Sequence, residues 1–301
     1  MKKTTEQLNS KKISQAQLFI QKNLNLDLHL QSVAREAGLS STYFHRQFKK
    51  ITGETPREYI TRLRLERAYY DIRISNNSLL HISAQYGFNN PETFTRAFKK
   101  YFNDKPSQVN RAQPPLNSTG CEKVAHTAFK SGLLNNKVKD SVTITVLRDL
   151  TVAYIRHLGP YESVPLVSSK QSPWQQLLQD AHDQAWNQGN PICIGMPLDL
   201  PSITVPEKRR YDMCVVVNRC ETHTGMDFKT IRGGYYLTHT HAGSYASLAA
   251  SYEKLYTAAH KLPDFSISSQ PMFELLIGVN AKNQHDHTWT ELYLPLEKGS
   301  V

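Results

Sequence analysis

Apolar positions in the first hundred residues recur at helical spacing, and one arrangement occurs twice. In "FHRQFKKIT", Phe44, Phe48 and Ile51 fall at i, i+4 and i+7. In "FTRAFKKYF", Phe94, Phe98 and Tyr101 do the same. On helices, each trio forms one inward face. The opposite faces carry Thr42, His45, Arg46 and Lys49 in the first copy, and Glu92, Thr93, Arg96 and Lys99 in the second. Lys50 and Lys100 extend each basic stripe. Beyond residue 140 the period changes. Alternating β-branched runs such as "SVTITVL", "MCVVV" and "TELYLPL" are interspersed with helical stretches. The pattern therefore predicts a multidomain chain, all-α over residues 1–112 and α+β over 141–301. The proline-containing, aperiodic residues 113–140 join them as a linker.

Local signals sharpen the first part. Thr55, Pro56 and Glu58 form a capping box with proline at the first helical position, and Asn90–Pro91 offers a second N-cap. Gly38 and Gly87 each end a short helix ("LQSVAREAG" and "LLHISAQYG") where a left-handed residue is wanted. Ala34 and Ser83, four residues before each glycine, are small enough for two helices to cross closely. Helix, glycine turn, helix, occurring twice, predicts two helix-turn-helix units. Gly38 to Phe44 is six residues and Gly87 to Phe94 is seven, so the second turn is one residue longer.

Charge separates the two parts by task. Residues 1–112 hold 19 Lys or Arg against 9 Asp or Glu, whereas residues 113–301 hold 17 of each. The whole excess of +10 thus lies in the part with the repeat, as expected of a polyanion binder joined to a neutral partner domain. Arg46 and Arg96 can each bond guanine O6 and N7, and the neighbouring lysines suit phosphates. Thr42 and Thr93 can meet a thymine methyl, and His45 can donate to a base or a phosphate. Glu92 can accept from cytosine N4 or complement its helix N-terminus. Two such helices in one protomer would read two half-sites about 34 Å apart, with "PREYITRLRLERAYYDIRI" setting the separation.

The segments "VAREAGLSSTYFHRQFKKITGETPREYITRLRLERA" and "ISAQYGFNNPETFTRAFKKYFNDKPSQVNR" resemble the AraC/XylS family of bacterial transcription regulators. The resemblance implies recognition helices near residues 41–51 and 91–102. In the second part, His-x-Gly-x-Tyr occurs at His157, Gly159, Tyr161 and again at His241, Gly243, Tyr245. Each copy closes a strand before a helical stretch and two apolar strands. This predicts two β-α-β-β units about a pseudo-twofold axis, with a ligand cleft at their seam.

The segments "AYIRHLGPYE", "YDMCVVV", "GGYYLTHTHAGSY", "PMFELLIG" and "TELYLPL" resemble the GyrI-like effector-binding domain. The resemblance implies a cleft for small amphipathic or cationic molecules, with Glu274 in it. Glu274 lies in an otherwise apolar strand, where a lone carboxylate is protonated, paired or ready for a cation. Tyr161, Trp174, Tyr245, Trp289 and Tyr293 are the aromatic candidates for its walls.

The expected partners are double-stranded DNA, a small-molecule effector and RNA polymerase, without a cofactor or a metal. His239 with His241, and His285 with His287, could ligate a metal if their strands met, but exposed strand histidines are commoner. The sequence contains no G-x-S-x-G, H-E-x-x-H or P-loop, so a regulator is expected rather than an enzyme. The rival is a binding or hydrolytic GyrI-like protein whose basic domain only localises it to nucleic acid. The four cysteines show no C-x-x-C pair, and no apolar run reaches the roughly 18 residues of a membrane span. A cytoplasmic location is the expectation.

Overall fold

In the computed structural model the chain divides into two compact units, Met1–Gln113 and Pro114–Val301. The structure describes residues 2–75, 77–109, 142–165, 172–186, 191–218, 226–243, 247–268, 270–277 and 288–299; the expected linker 113–140 lies outside them.

The first unit contains α1 (Lys2–Lys22), α2 (Leu30–Glu36), α3 (Ser41–Thr52), α4 (Pro56–Ile74), α5 (Leu79–Gln85) and α6 (Pro91–Phe102). It has two apolar cores rather than one. Ile13, Ile20, Val33, Phe44, Phe48, Tyr59 and Leu63 close the first, from α1 to the first half of α4. Leu65, Ala68, Ile72, Ile82, Phe94 and Phe98 close the second, from the rest of α4 to α6. Helix α4 therefore belongs to both, and the boundary between the cores falls beside Arg64.

Short-range chemistry sets the helix ends. Thr55 and Glu58 form the reciprocal capping box at α4. The Asn90 side chain accepts from the Glu92 N–H at 2.7 Å to start α6. Gly38 and Gly87 adopt left-handed φ values of +60° and +72°. Helix α6 begins one residue later after its glycine than α3 does, as the sequence spacing requires. Ala34 and Ser83 are both buried at the helix crossings.

The inward faces are narrower than the helical period predicts. Phe44, Phe48, Phe94 and Phe98 are buried, but Ile51 is 37% and Tyr101 36% exposed. Each is the last apolar position of its trio, past the end of the packed face, so Tyr101 projects its hydroxyl sideways to Glu66 Oε1 at 2.8 Å.

Gly87 has a steric role besides its backbone one. A Cβ there would lie 2.8 Å from the Arg64 guanidinium carbon. Gly87→Ala is expected to destabilise the first unit by about 1–2 kcal/mol, combining left-handed strain with displacement of Arg64. Urea unfolding of the full chain, followed by helical circular dichroism, measures it. An unchanged midpoint of the helical transition would show that Arg64 moves aside without cost.

The second unit is an antiparallel sheet with two longer helices. Its strands are β1 (Thr143–Leu147), β2 (Leu150–Leu158), β3 (Cys193–Pro197), β4 (Arg210–Val216), β5 (Asp227–Ile231), β6 (Gly234–Gly243), β7 (Phe265–Ile267), β8 (Phe273–Ile277) and β9 (Thr288–Lys298). Helix α7 (Pro173–Asp183) packs over β2 and β4, and α8 (Leu248–Ala259) over β6 and β9. The spatial order is β1-β6-β9-β8-β3-β4-β2-β5, with β7 beside β9.

This order is the expected pair of β-α-β-β units, β2-α7-β3-β4 and β6-α8-β8-β9, meeting where β3 pairs with β8. Each unit also lends a leading strand to the other: β1 pairs with β6, and β5 with β2. Because β1 runs into β2 and β5 into β6 through two-residue crossings, the two ends of the sheet are drawn together and it curls. Where the crossings meet, the Gly233 N–H donates to Asp149 Oδ1 at 2.7 Å. A Cβ at Gly233 would stand 2.6 Å from the Leu147 carbonyl, so only glycine fits the approach. Within the curl lie Tyr154, Ile194, Cys214, Tyr236, Phe273 and Tyr293.

Candidate functional site

The basic stripes of the first unit lie on α3 and α6 and face solvent. Thr42, His45, Arg46, Lys49 and Lys50 are exposed on α3, as are Glu92, Thr93, Arg96, Lys99 and Lys100 on α6. Buried phenylalanines hold each helix from behind. Phe44 and Phe48 stand at 5.4 Å between ring centroids, and Phe94 and Phe98 at 5.5 Å. Each stripe is thus presented by a rigid support rather than by a loop.

Arg46 also has a local guide that periodicity does not reveal. Its guanidinium carbon lies 5.3 Å from the centroid of the Tyr43 ring. The Tyr43 hydroxyl accepts from Asn9 Nδ2 of α1 at 2.9 Å. A side chain of α1 therefore helps to orient a residue of α3, and only the packed structure brings the two helices together. A surface hollow of about 450 Å³, lined by Gln31, Arg35, Leu39, Ser40 and Ser41, lies at the start of α3. Backbone N–H groups at a helix start and the Arg35 cation suit an anionic oxygen there.

In the second unit the expected seam holds Glu274. It lies on β8, in register with Gly195 of β3 on one side and Leu292 of β9 on the other. The side chain is 1% exposed. Its Oε2 accepts from the Tyr211 hydroxyl at 3.1 Å, and its Oε1 accepts from the Tyr252 hydroxyl of α8. Among the described residues, no cation pairs with it. Burial pushes its pKa from 4.5 up to about 7, against the two phenol hydrogen bonds, which favour the charged form.

Gly195 provides the room for this arrangement. A Cβ at Gly195 would stand 1.8 Å from the Tyr211 hydroxyl oxygen and 3.1 Å from Glu274 Oε2. Across the pseudo-twofold seam, one half supplies a carboxylate and the other supplies a missing side chain. Tyr211 is 2% exposed, so its ring cannot swing out into solvent. Gly195→Ala is expected to destabilise the second unit by about 1–3 kcal/mol at pH 7 through overpacking. Chemical denaturation compares it with the parent chain, and equal unfolding midpoints would show that Tyr211 yields freely.

Register sorts the expected aromatic walls. Tyr161 reaches the site through one intermediary: its ring meets Tyr211 edge-on at 5.9 Å between centroids, and its hydroxyl donates to the Asp199 carbonyl at 2.6 Å. Trp174 is fully buried on α7, and its indole N–H has no hydrogen-bond partner among the described residues. Tyr293 and Trp289 lie on the wrong face for Glu274. Glu274 is paired with Leu292, so the odd-numbered β9 positions point to the opposite side of the sheet. There Tyr293 stacks on Phe273 at 4.5 Å between centroids, within the curl. Tyr245 lies outside the described residues, as do His285 and His287.

The other strand histidines are buried rather than exposed. His239 is 6% and His241 5% exposed, because α8 covers their face. His241 Nδ1 lies 2.9 Å from Ser251 Oγ, and its Nε2 lies 3.4 Å from Ser247 Oγ. His157 similarly places Nε2 3.0 Å from Ser163 Oγ. The repeat is therefore His-x-Gly-x-Tyr-x-Ser, with the serine hydroxyl beside the histidine in both copies. Among the described residues no group of three or more His, Cys, Asp or Glu side chains converges as a metal site would.

Tyr211 and Tyr252 are the partners of Glu274 that sequence reasoning missed. One lies 63 and the other 22 residues from Glu274. No short-range spacing connects either to the carboxylate.

The chain matches the helix-turn-helix domain family over residues 33–112 and the GyrI-like small molecule binding domain family over residues 140–297. It is 38% identical over 105 residues to the Transposon Tn10 TetD protein of Escherichia coli, covering 35% of this chain and 76% of that one. It is 36% identical over 107 residues to the transcriptional regulator Rob of Salmonella typhimurium, covering 33% of this chain but only 37% of Rob. A Chromobacterium violaceum transcriptional regulator with an AraC-type DNA-binding domain, known from a crystal structure, is 28% identical. That alignment covers 35% of this chain and 96% of the other, with a TM-score of 0.34.

Proposed function

Because the chain belongs to the AraC/XylS family of transcription regulators and carries a GyrI-like small-molecule-binding domain, we propose that it reads two half-sites of duplex DNA and responds to a lipophilic cation. In this reading Arg46 and Arg96 select bases, with Thr42, His45, Glu92 and Thr93 beside them. Lys49, Lys50, Lys99 and Lys100 hold phosphates. The observation supporting the DNA half is the recurrence of the same exposed stripe on two rigidly backed helices of the basic unit.

The effector half rests on Glu274. Its carboxylate, buried between two phenols with no cation beside it among the described residues, is held near the midpoint of its ionisation at neutral pH. A cation entering beside it would complete an ion pair in a setting of low dielectric, with the rings of Tyr211 and Tyr252 as aromatic surface and Tyr161 backing Tyr211. The ligand would replace a proton. Neutral amphiphiles lack that gain, so selectivity for cations follows from the carboxylate itself.

Binding would then alter DNA affinity or contact with RNA polymerase in the cytoplasm. No catalytic step is proposed.

A thermal-shift screen tests the effector half. Lipophilic cations and matched neutral amphiphiles are compared on the parent chain and on Glu274→Gln. A cation at 100 times its dissociation constant is expected to stabilise by about 2.7 kcal/mol. The shift should be absent in the variant. Equal shifts in both proteins would remove Glu274 as the cation site.

A further inference from the structure

Among the described residues the two apolar cores of the first unit share α4, and polar side chains bridge that boundary on two sides. Arg64 stands between Leu63, which closes the first core, and Leu65, which opens the second. Its Nε donates to the Leu24 carbonyl at 3.0 Å and its Nη2 to the Leu26 carbonyl at 2.5 Å, both in the turn that follows α1. The same guanidinium lies directly under the Gly87 turn of the second helix-turn-helix, where any Cβ would strike it. One planar group thus bonds the turn after α1 and fills the space beneath the second helix-turn-helix.

The other bridge runs through Arg62. Its Nη2 donates to Glu54 Oε1 at 2.6 Å, and its Nη1 donates to Glu66 Oε2 at 3.1 Å. Glu54 precedes α4 on the side of the first core. Glu66 lies past the boundary and accepts from the Tyr101 hydroxyl of α6. Arg62, Glu54 and Glu66 are all buried. The series Glu54–Arg62–Glu66–Tyr101 therefore runs from the end of the first helix-turn-helix to the second recognition helix.

A single helix passing between two small cores would leave them free to bend and twist about it. Apolar contact is non-directional, whereas a bidentate guanidinium fixes both distance and angle. We infer that Arg64 and the Arg62–Glu66–Tyr101 series are positioning residues that lock the angle between α3 and α6, so that the chain selects the spacing of its two half-sites as well as their sequence. This rests on the reading of α3 and α6 as DNA readers. Arg64, Glu66 and Tyr101 then contribute specificity through geometry, without touching a base.

The test uses the full chain and duplexes chosen by selection from random sequence. Affinity is measured for the selected duplex, for the same duplex with one base pair inserted between the half-sites, and for each half-site alone at low salt. The parent chain is expected to bind the inserted duplex roughly tenfold more weakly, because one base pair rotates and displaces the second site. Tyr101→Phe, which removes only a hydroxyl at a partly exposed position, and Arg64→Lys, which keeps the charge but loses the fork, are expected to lower that penalty roughly fivefold. Their affinities for single half-sites and their salt dependence should match the parent.

An unchanged insertion penalty in both variants would overturn the brace while leaving two-site reading intact. A weaker single half-site or a shallower salt slope would also overturn it, because the residues would then be supporting one helix or holding a phosphate. If the parent chain selects only one half-site, the two-site reading fails and the brace falls with it.

Discussion

Glu274→Gln is expected to remove a loss of stability that the parent chain suffers between about pH 4.5 and pH 7. The carboxyl ionises near 4.5 when unfolded and near 7 when buried in the native sheet. Between those values the native state holds a proton that the unfolded state has released, so stability falls as pH rises. The fall is complete above pH 7, where the rise in pKa corresponds to about 3 kcal/mol. Glutamine has no proton to lose. The variant's second unit should therefore match the parent near pH 4 and exceed it by up to about 3 kcal/mol at pH 8.

The same charge governs binding. Affinity for a lipophilic cation should rise about tenfold per pH unit below pH 7 in the parent and level off above it, since cation and proton compete for one carboxylate. In Glu274→Gln the affinity should be low and flat with pH. Denaturant titrations and calorimetry at four pH values measure both. A parent stability curve with the variant's shape would mean that Glu274 does not titrate in this range.

Arg46→Ala and Arg96→Ala should each cost about 1–3 kcal/mol of binding and relax base choice at different half-sites. Support matters here as well as charge. Arg46 is held over Tyr43, which Asn9 holds in turn, whereas Arg96 projects from the face of α6 opposite buried Phe94 and Phe98. Lysine-to-alanine changes at Lys49, Lys50, Lys99 or Lys100 should act otherwise. Each should weaken all sequences alike and lower the salt slope by about 0.9 for every phosphate no longer neutralised. Binding to randomised half-sites, read by sequencing, separates the two patterns. If both arginine variants weakened all sequences uniformly, the arginines would be phosphate binders and base choice would lie elsewhere.

The helix-turn-helix units are legible in the sequence because their determinants are local. A left-handed glycine, a capping Asn or Thr and a proline at the first helical position act within a few residues. The pairing of Phe44 with Phe48, and of Phe94 with Phe98, needs only the helical period. Where the packed face stops is a tertiary matter, and so Ile51 and Tyr101 emerge where periodicity places them inside.

Glu274 is legible for a different reason: a charge within an apolar strand contradicts its neighbours. Its surroundings are not, because a sheet's face depends on register, and a shift of one residue inverts it. Trp289 and Tyr293 have the right chemistry and sit on the right strand, yet they point away from Glu274. Tyr211 and Tyr252 arrive through a strand pairing and a helix packing that no short segment encodes. Gly195 looks like any strand glycine until Tyr211 is placed beside it. The exchange of β1 and β5 between the two units is likewise a consequence of closing the sheet, not of either strand's composition.

The most direct test of a cation-responsive regulator is transcription in vitro from a promoter bearing the selected two-half-site sequence, with purified RNA polymerase at pH 8. This readout registers a change in DNA affinity and a change in polymerase contact alike. A lipophilic cation should change transcript yield with the parent chain, and its neutral isostere should not. Glu274→Gln should abolish the response, while Arg46→Ala with Arg96→Ala should abolish dependence on the protein. Yield that is indifferent to the cation in the parent, or that changes equally in Glu274→Gln, would contradict a cation-responsive regulator.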